Sequence, residues 1–67
     1  MTKTAMVIEG VITECYGQRS RWNNRYDAIA YFREGMASCD PNSSEYSRYA
    51  TIVAKLETGA VLADDKE

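Results

Sequence analysis

The sequence contains no histidine, and it has only two cysteines, one proline and four glycines among its 67 residues. Without histidine, the chain lacks the usual general base near neutral pH and the commonest transition-metal ligand. A serine or cysteine nucleophile would therefore have no imidazole to activate it. We predict that the chain has no catalytic residues and is not an enzyme.

The cysteines and glycines also argue against bound groups. Two isolated cysteines, Cys15 and Cys39, cannot form a structural zinc site of the four-ligand kind. The glycines are scattered and match neither a Walker loop nor a dinucleotide fingerprint. We predict no metal site and no cofactor, and we interpret both cysteines as reduced, small hydrophobic residues near the core, with a disulfide between them as the alternative.

Long hydrophobic runs are missing as well. No stretch approaches the ~20 apolar residues of a transmembrane helix, and the N-terminus lacks the pattern of a signal peptide. These absences predict a cytoplasmic protein that does not contact membranes. The length allows one domain, residues 1–67, with a small core that self-association could supplement.

The N-terminal residues 2–16 are rich in β-branched and apolar residues, which predicts extended structure. Two turns compete. Glu9-Gly10 could join two very short strands, or Gly10 could be a bulge in one long strand that turns at Tyr16-Gly17. We prefer the second, because strands of two or three residues could hardly hold a sheet. The return strand would cover residues 19–22.

Two helices follow, over residues 26–39 and 42–56. Apolar residues recur at helical spacing in both, Asn24 and Asn42 are suitable N-caps, and Glu45 would complete a capping box with Asn42. Pro41 separates the helices with a connection so short that they must be antiparallel neighbours. Gly35 lies inside the first helix, where it either admits a close neighbour or weakens the helix.

These elements predict an α+β fold in which an N-terminal β-hairpin packs on an antiparallel αα-hairpin. Residues 60–63 could add a third short strand at the C-terminus, and residues 63–67 would form a mobile acidic tail. The predicted core takes one residue from each of three pairs and six single residues: Val7 or Ile8, Val11 or Ile12, Ile52 or Val53, and Trp22, Ile29, Phe32, Met36, Tyr49 and Leu56.

Charge is distributed unevenly, although the net charge is only −2. Arginines and aromatic residues gather in the middle of the chain, and acids gather at its end. Tryptophan, tyrosine and arginine are the residues enriched at protein–protein hot spots, and arginine also binds phosphate. We therefore predict a surface for a partner or for nucleic acid, formed by Tyr16, Arg19, Arg21, Arg25 and Arg33.

Residues 22–65 also resemble small accessory proteins of conjugative transposons and related mobile elements of Gram-positive gut bacteria. The resemblance rests on the string from Tyr26 to Met36, on Arg48-Tyr49 with Ile52, and on Gly59 before an acidic end. It implies a cytoplasmic accessory protein with no assigned catalytic residues, which acts on the upkeep of the element, on its regulation or on host defences.

Three functions are consistent with the sequence. The first is a non-enzymatic interaction or regulatory module that binds another protein or itself, including as a homodimer. The second is a nucleic-acid accessory protein that uses Arg19, Arg21 and Arg25, although the acidic balance of the chain disfavours it. The third is an inhibitor of a host defence nuclease, with the acidic end imitating phosphate.

Overall fold

The computed structural model describes residues 10–66. In chain order these residues form strand β1 (Val11–Cys15), strand β2 (Gln18–Trp22), helix α1 (Arg25–Ala37), helix α2 (Ser44–Glu57) and strand β3 (Leu62–Asp64). The three strands make one sheet in the order β2-β1-β3, and the two helices pack together on it. The predicted α+β fold with a β-hairpin, a helix pair and a third strand is confirmed.

The hairpin turns at Tyr16-Gly17, as preferred from the sequence. Both residues have positive φ, 54° and 78°, which is the conformation of a type I′ turn and matches the twist of the flanking strands. Cys15 pairs with Gln18 directly beside the turn, so β2 begins one residue earlier than predicted. The core choice between Val7 and Ile8 lies outside the described residues.

Strand β1 is the centre of the sheet. It pairs antiparallel with β2 and parallel with β3. The Ile12 backbone N–H donates to the Val61 carbonyl at 2.9 Å, and the Asp65 N–H donates to the Glu14 carbonyl at 3.1 Å. The third strand is thus held to β1 at both ends, and β2 and β3 are the edges.

Helix α1 begins where the sequence predicts a cap. The Asn24 side chain accepts a hydrogen bond from the Asp27 backbone N–H at 2.9 Å, and Asp27 places a carboxylate in the first turn. The helix ends at Ala37, two residues before the predicted end. Its last turn tightens there, because the Cys39 N–H bonds the Met36 carbonyl three residues back.

The prediction of Asn42 as the cap of α2 is wrong. Ser43 is the N-cap, and its hydroxyl accepts from the Tyr46 N–H at 3.2 Å. The Asn42 backbone N–H is already engaged by the Asp40 side chain at 3.0 Å, which forms a turn ahead of the helix. Glu45 does not complete a capping box; its carboxylate lies 3.9 Å from the Cys39 sulfur instead.

Gly59 ends α2. Its φ of 102° reverses the chain, while its N–H bonds the Leu56 carbonyl and the Ala60 N–H bonds the Lys55 carbonyl. This double hydrogen bond is a Schellman motif, which closes the helix end and directs the chain back towards the sheet.

The core lies between the sheet and the helix pair. Val11 is buried whereas its neighbour Ile12 lies on the other face, and both Ile52 and Val53 are buried. Phe32 and Leu56 are buried as predicted, and Trp22, Ile29, Met36 and Tyr49 pack against the core while partly exposed. Three buried residues were not predicted: Thr13, Ala28 and Ala63.

Residues 63–66 have defined partners. Ala63 is buried in β3 and Asp64 forms an ion pair with Lys55 at 2.6 Å. The predicted mobility of the acidic end, residues 63–67, stays a prediction.

Gly35 has a close neighbour. A Cβ at this position would lie 2.8 Å from Cε2 of Tyr49, which is shorter than real contacts allow. We expect Gly35→Ala to lower the free energy of unfolding by up to about 2 kcal/mol, since overpacking of about 1–3 kcal/mol outweighs the gain of about 1 kcal/mol in helix propensity. Chemical denaturation measures the change.

A Tyr49→Leu background is the control for this prediction. With the ring gone, Gly35→Ala should instead stabilise that variant by up to about 1 kcal/mol. The same stabilisation in the wild-type chain would show that the two helices do not approach each other closely at Gly35.

Candidate functional site

The five residues of the predicted partner surface lie in three separate parts of the structure. Arg19 and Arg21 lie two residues apart on β2, so their side chains share the sheet face that points away from the helices. Tyr16 is in the hairpin turn. Arg25 and Arg33 are on α1, where they contact the end of α2.

The two α1 arginines both contact the C-terminal end of α2. The Arg25 guanidinium donates to the Leu56 carbonyl at 3.0 Å, near the C-terminus of α2 where a positive charge is favourable. Arg33 forms an ion pair with Glu57 one residue further on. Neither residue extends the surface of Arg19 and Arg21, so the four arginines do not form one patch.

The outer face of the sheet consists of two rows across the strands. One row contains Arg21, Ile12 and Leu62, and the other contains Arg19, Glu14 and Asp64. Arg19 lies 3.5 Å from the Glu14 carboxylate in an exposed ion pair, which contributes little to stability. Leu62 is 53% exposed, so this face combines an apolar strip with positive charge at the β2 edge.

A groove opens on the other side of β2, between this strand and α1. Helix α1 approaches β2 at Trp22, whose ring lies 5.2 Å from that of Tyr31 and 6.1 Å from that of Phe32. Further along β2, Ser20 and Gln18 point to the same side as Trp22, yet they are exposed. We name this feature the β2–α1 groove.

Tyr31 stands in the middle of the β2–α1 groove and is 60% exposed. On one side of it lies a shallow depression bordered by Arg21, Trp22 and Asp27. On the other side lies a cavity of about 150 Å³. The cavity has a mixed aromatic and small polar lining: Thr13, Cys15, Tyr16, Gln18, Ser20, Tyr31, Phe32 and Tyr49.

The groove is built on a fixed framework. The Trp22 indole N–H donates to the Thr13 hydroxyl at 2.9 Å, and Thr13 is buried in β1. This bond holds the indole between the sheet and α1, and the Tyr31 and Phe32 rings meet edge to face at 5.1 Å. The aromatic wall of the groove is thus ordered before any partner binds.

The thiols near the groove are not activated. Burial raises the pKa of the Cys15 thiol, and the Asp65 charge raises it further. Burial and the nearby Glu45 carboxylate raise the pKa of the Cys39 thiol. Both thiols are therefore protonated at neutral pH, and the thiolate is the reactive form of cysteine.

Tyr16 makes an internal contact that sequence reasoning missed. Its backbone N–H donates to the Asp65 carboxylate at 2.9 Å, and Arg48 donates to the same oxygen at 2.8 Å. The Arg48 guanidinium also lies 4.6 Å from the centre of the Tyr16 ring. We name Tyr16, Arg48 and Asp65 the C-terminal clasp, because they join the hairpin turn, α2 and the end of β3.

Sequence reasoning also did not select Gln18, Ser20 and Tyr31 as site residues. A signal for them exists in the sequence: residues 18–21 are polar at every position, so neither face of this strand is apolar enough to be covered. Such a strand is expected at a sheet edge.

Comparisons with known proteins identify no relative. No family model, curated protein or solved structure matches the chain. Within the described residues, no helix is long and apolar enough to cross a membrane, and no group of three or more potential ligands could hold a metal ion.

The C-terminal clasp makes the free energy of unfolding depend on pH in the acidic range. The pKa of Asp65 is lowered, chiefly because the carboxylate accepts the Tyr16 N–H and also because Arg48 lies against it. The folded chain therefore binds this proton less readily than the unfolded chain does. The resulting stability is present above the ordinary pKa of 3.8 and is lost as pH falls through the lower folded value.

We expect Asp65→Asn to reduce stability at pH 7 and to flatten the decline of unfolding free energy below about pH 5. Denaturant titrations across this range measure both effects. Arg48→Gln should keep part of the decline, since the Tyr16 N–H remains. An acid dependence in Asp65→Asn as steep as that of the wild type would contradict the role of the clasp.

Proposed function

We propose that this chain is a non-enzymatic interaction module that binds another protein in the β2–α1 groove. The observation that carries the proposal is Tyr31, which stays 60% exposed although it lies against Trp22 in an ordered aromatic wall. An ordered aromatic wall beside an exposed strand forms a surface that a partner can contact.

The composition of the groove supports a protein partner. Tryptophan, tyrosine and arginine dominate binding energy at protein interfaces, and Trp22 and Tyr31 border the same depression. The wall is held by the indole bond to Thr13, so binding would cost little ordering of the aromatic side chains. Small polar residues along β2 leave space for an incoming chain.

The geometry gives less support to the two other functions. Of the four predicted arginines, Arg19 and Arg21 share a surface, and Glu14 forms an ion pair with Arg19, which weakens attraction to phosphates. In the acidic end, Asp64 is paired with Lys55 and Asp65 with Arg48. Both carboxylates are thus partly neutralised, which makes them poor mimics of phosphate.

The cellular setting is predicted from the sequence alone. An accessory role in a mobile element and a cytoplasmic location stay predictions from the resemblance and the composition. A regulatory protein partner would suit both.

Two tyrosine variants test the proposal. Tyr31→Ala removes the centre of the groove wall, whereas Tyr26→Ala makes the same chemical change on α1 at a side chain that is 75% exposed and outside the groove. We expect quantitative affinity purification from a lysate of the cells that contain this protein to recover a partner protein. Wild type and Tyr26→Ala should retain that partner, and Tyr31→Ala should lose it. The candidate is then purified and titrated against all three chains.

The titration should show binding weakened at least about tenfold by Tyr31→Ala, as expected for an aromatic hot spot, and unchanged by Tyr26→Ala. Circular dichroism checks that both variants fold. If no protein distinguishes the two variants, the groove is not a binding site. Light scattering of the purified chain shows whether the partner is a second copy, which would replace the proposed partner.

A further inference from the structure

We infer that the partner segment is an extended strand that pairs with the free edge of β2 and alternates acidic with apolar residues. This inference rests on the proposed function and adds the chemistry of the ligand.

Within residues 10–66, the edge of β2 that faces away from β1 has backbone groups available for a new strand. The two-residue turn makes Cys15 and Gln18 a hydrogen-bonded pair, so the next residue, Arg19, belongs to a pair that is not bonded across β1 and β2. The same alternation applies to Arg21. Their N–H and C=O groups therefore point away from β1.

The contacts of β1 with β3 confirm this alternation. Arg21 and Arg19 stand opposite Ile12 and Glu14, whose backbone groups bond towards β3 rather than towards β2. Within residues 10–66, no strand pairs with the other edge of β2. An added strand would find unpaired donors and acceptors there, which is the basis of binding by strand addition.

Side chains define the pattern of the incoming strand. Residues of an added strand alternate between the two faces of the sheet. On the outer face they would stand beside Arg19 and Arg21, where a carboxylate is favoured. On the inner face they would enter the β2–α1 groove towards Tyr31 and Phe32, where an apolar or aromatic side chain can fill the cavity of about 150 Å³.

Charge also argues against a second copy on this edge. If β2 of two chains paired with each other, Arg19 and Arg21 would face the same two arginines across the strands. Like charges directly opposite each other destabilise a sheet, and positive charge on an edge is a known protection against self-pairing. The same charge favours a strand that carries acids.

The test uses short synthetic peptides as probes, labelled for fluorescence anisotropy and kept at concentrations where light scattering finds them monomeric. One peptide alternates glutamate with valine or tyrosine. A second replaces each glutamate by lysine, and a third has the composition of the first with its glutamates grouped together. We expect the full-length chain to bind the first peptide and to discriminate against the other two.

Arginine variants test the charge pattern. The double variant Arg19→Gln, Arg21→Gln should bind the glutamate peptide about threefold to tenfold more weakly, as expected for two exposed cross-strand charge pairs. Arg33→Gln removes an equally exposed arginine on α1 and is the matched control, with binding unchanged. The double reversal Arg19→Glu, Arg21→Glu should prefer the lysine peptide.

A proline variant tests the backbone. Arg21→Pro removes an N–H that points away from β1, so the hairpin should keep its own hydrogen bonds while strand addition is blocked. We expect this variant to fold, as judged by circular dichroism, and to lose binding of every peptide. If it does not fold, N-methylation of the Arg21 amide in a synthetic chain makes the same test and keeps the side chain.

The outcomes separate this inference from the proposed function. Equal binding of the glutamate and lysine peptides, or unaltered binding by Arg21→Pro, overturns strand addition with acidic alternation. Absence of binding by any peptide overturns it too, while a protein that depends on Tyr31 would still support the proposed function. A dimer of the chain that Arg21→Pro dissociates would identify a second copy as the occupant and overturn the inference.

Discussion

The sheet depends on the backbone of β1, whose N–H and C=O groups form hydrogen bonds with β2 on one side and with β3 on the other. Val11, Thr13 and Cys15 pair with β2, and the alternate residues Ile12 and Glu14 bond towards β3. The same alternation assigns the side chains, so that Val11 and Thr13 are buried while Ile12 and Glu14 lie on the outer face. With β1 paired on both sides, the outer sides of β2 and β3 are the edges of the sheet that residues 10–66 form.

Within residues 10–66, the two helices cover only part of the three-stranded sheet. They cover the side of the sheet where Val11 and Ala63 are fully buried, while residues 18–21 stay exposed. The polar composition of residues 18–21 suits this position, since neither face of the strand exposes apolar side chains to water there.

Local signals in the sequence were sufficient for much of the fold. Tyr16-Gly17 turns as predicted, Asn24 caps α1 and Gly59 closes α2, because each depends on residues within a few positions. The N-cap of α2 was predicted wrongly although it is also a local feature. The Asp40 side chain accepts the Asn42 N–H in a turn before the helix, and Ser43 is the N-cap.

The candidate site was predictable only in part. Arg19 and Arg21 share a face because successive side chains of a strand alternate between its two faces. Arg25 and Arg33 instead lie on α1, where they contact the end of α2. The β2–α1 groove exists because of how α1 is placed against β2, which periodicity does not encode. The contact of Tyr16 with Asp65 joins residues 49 positions apart and has no local signal.

The parallel strand β3 has a consequence for how the chain reaches its folded state. The hairpin and the helix pair are each formed by neighbours in sequence, but β3 meets β1 only after both helices have reversed the chain. Contacts between distant positions close large loops and form slowly. We therefore expect β3 to dock last and to detach first, so that the earliest opening of the molecule exposes Ala63 and frees the second edge of β1.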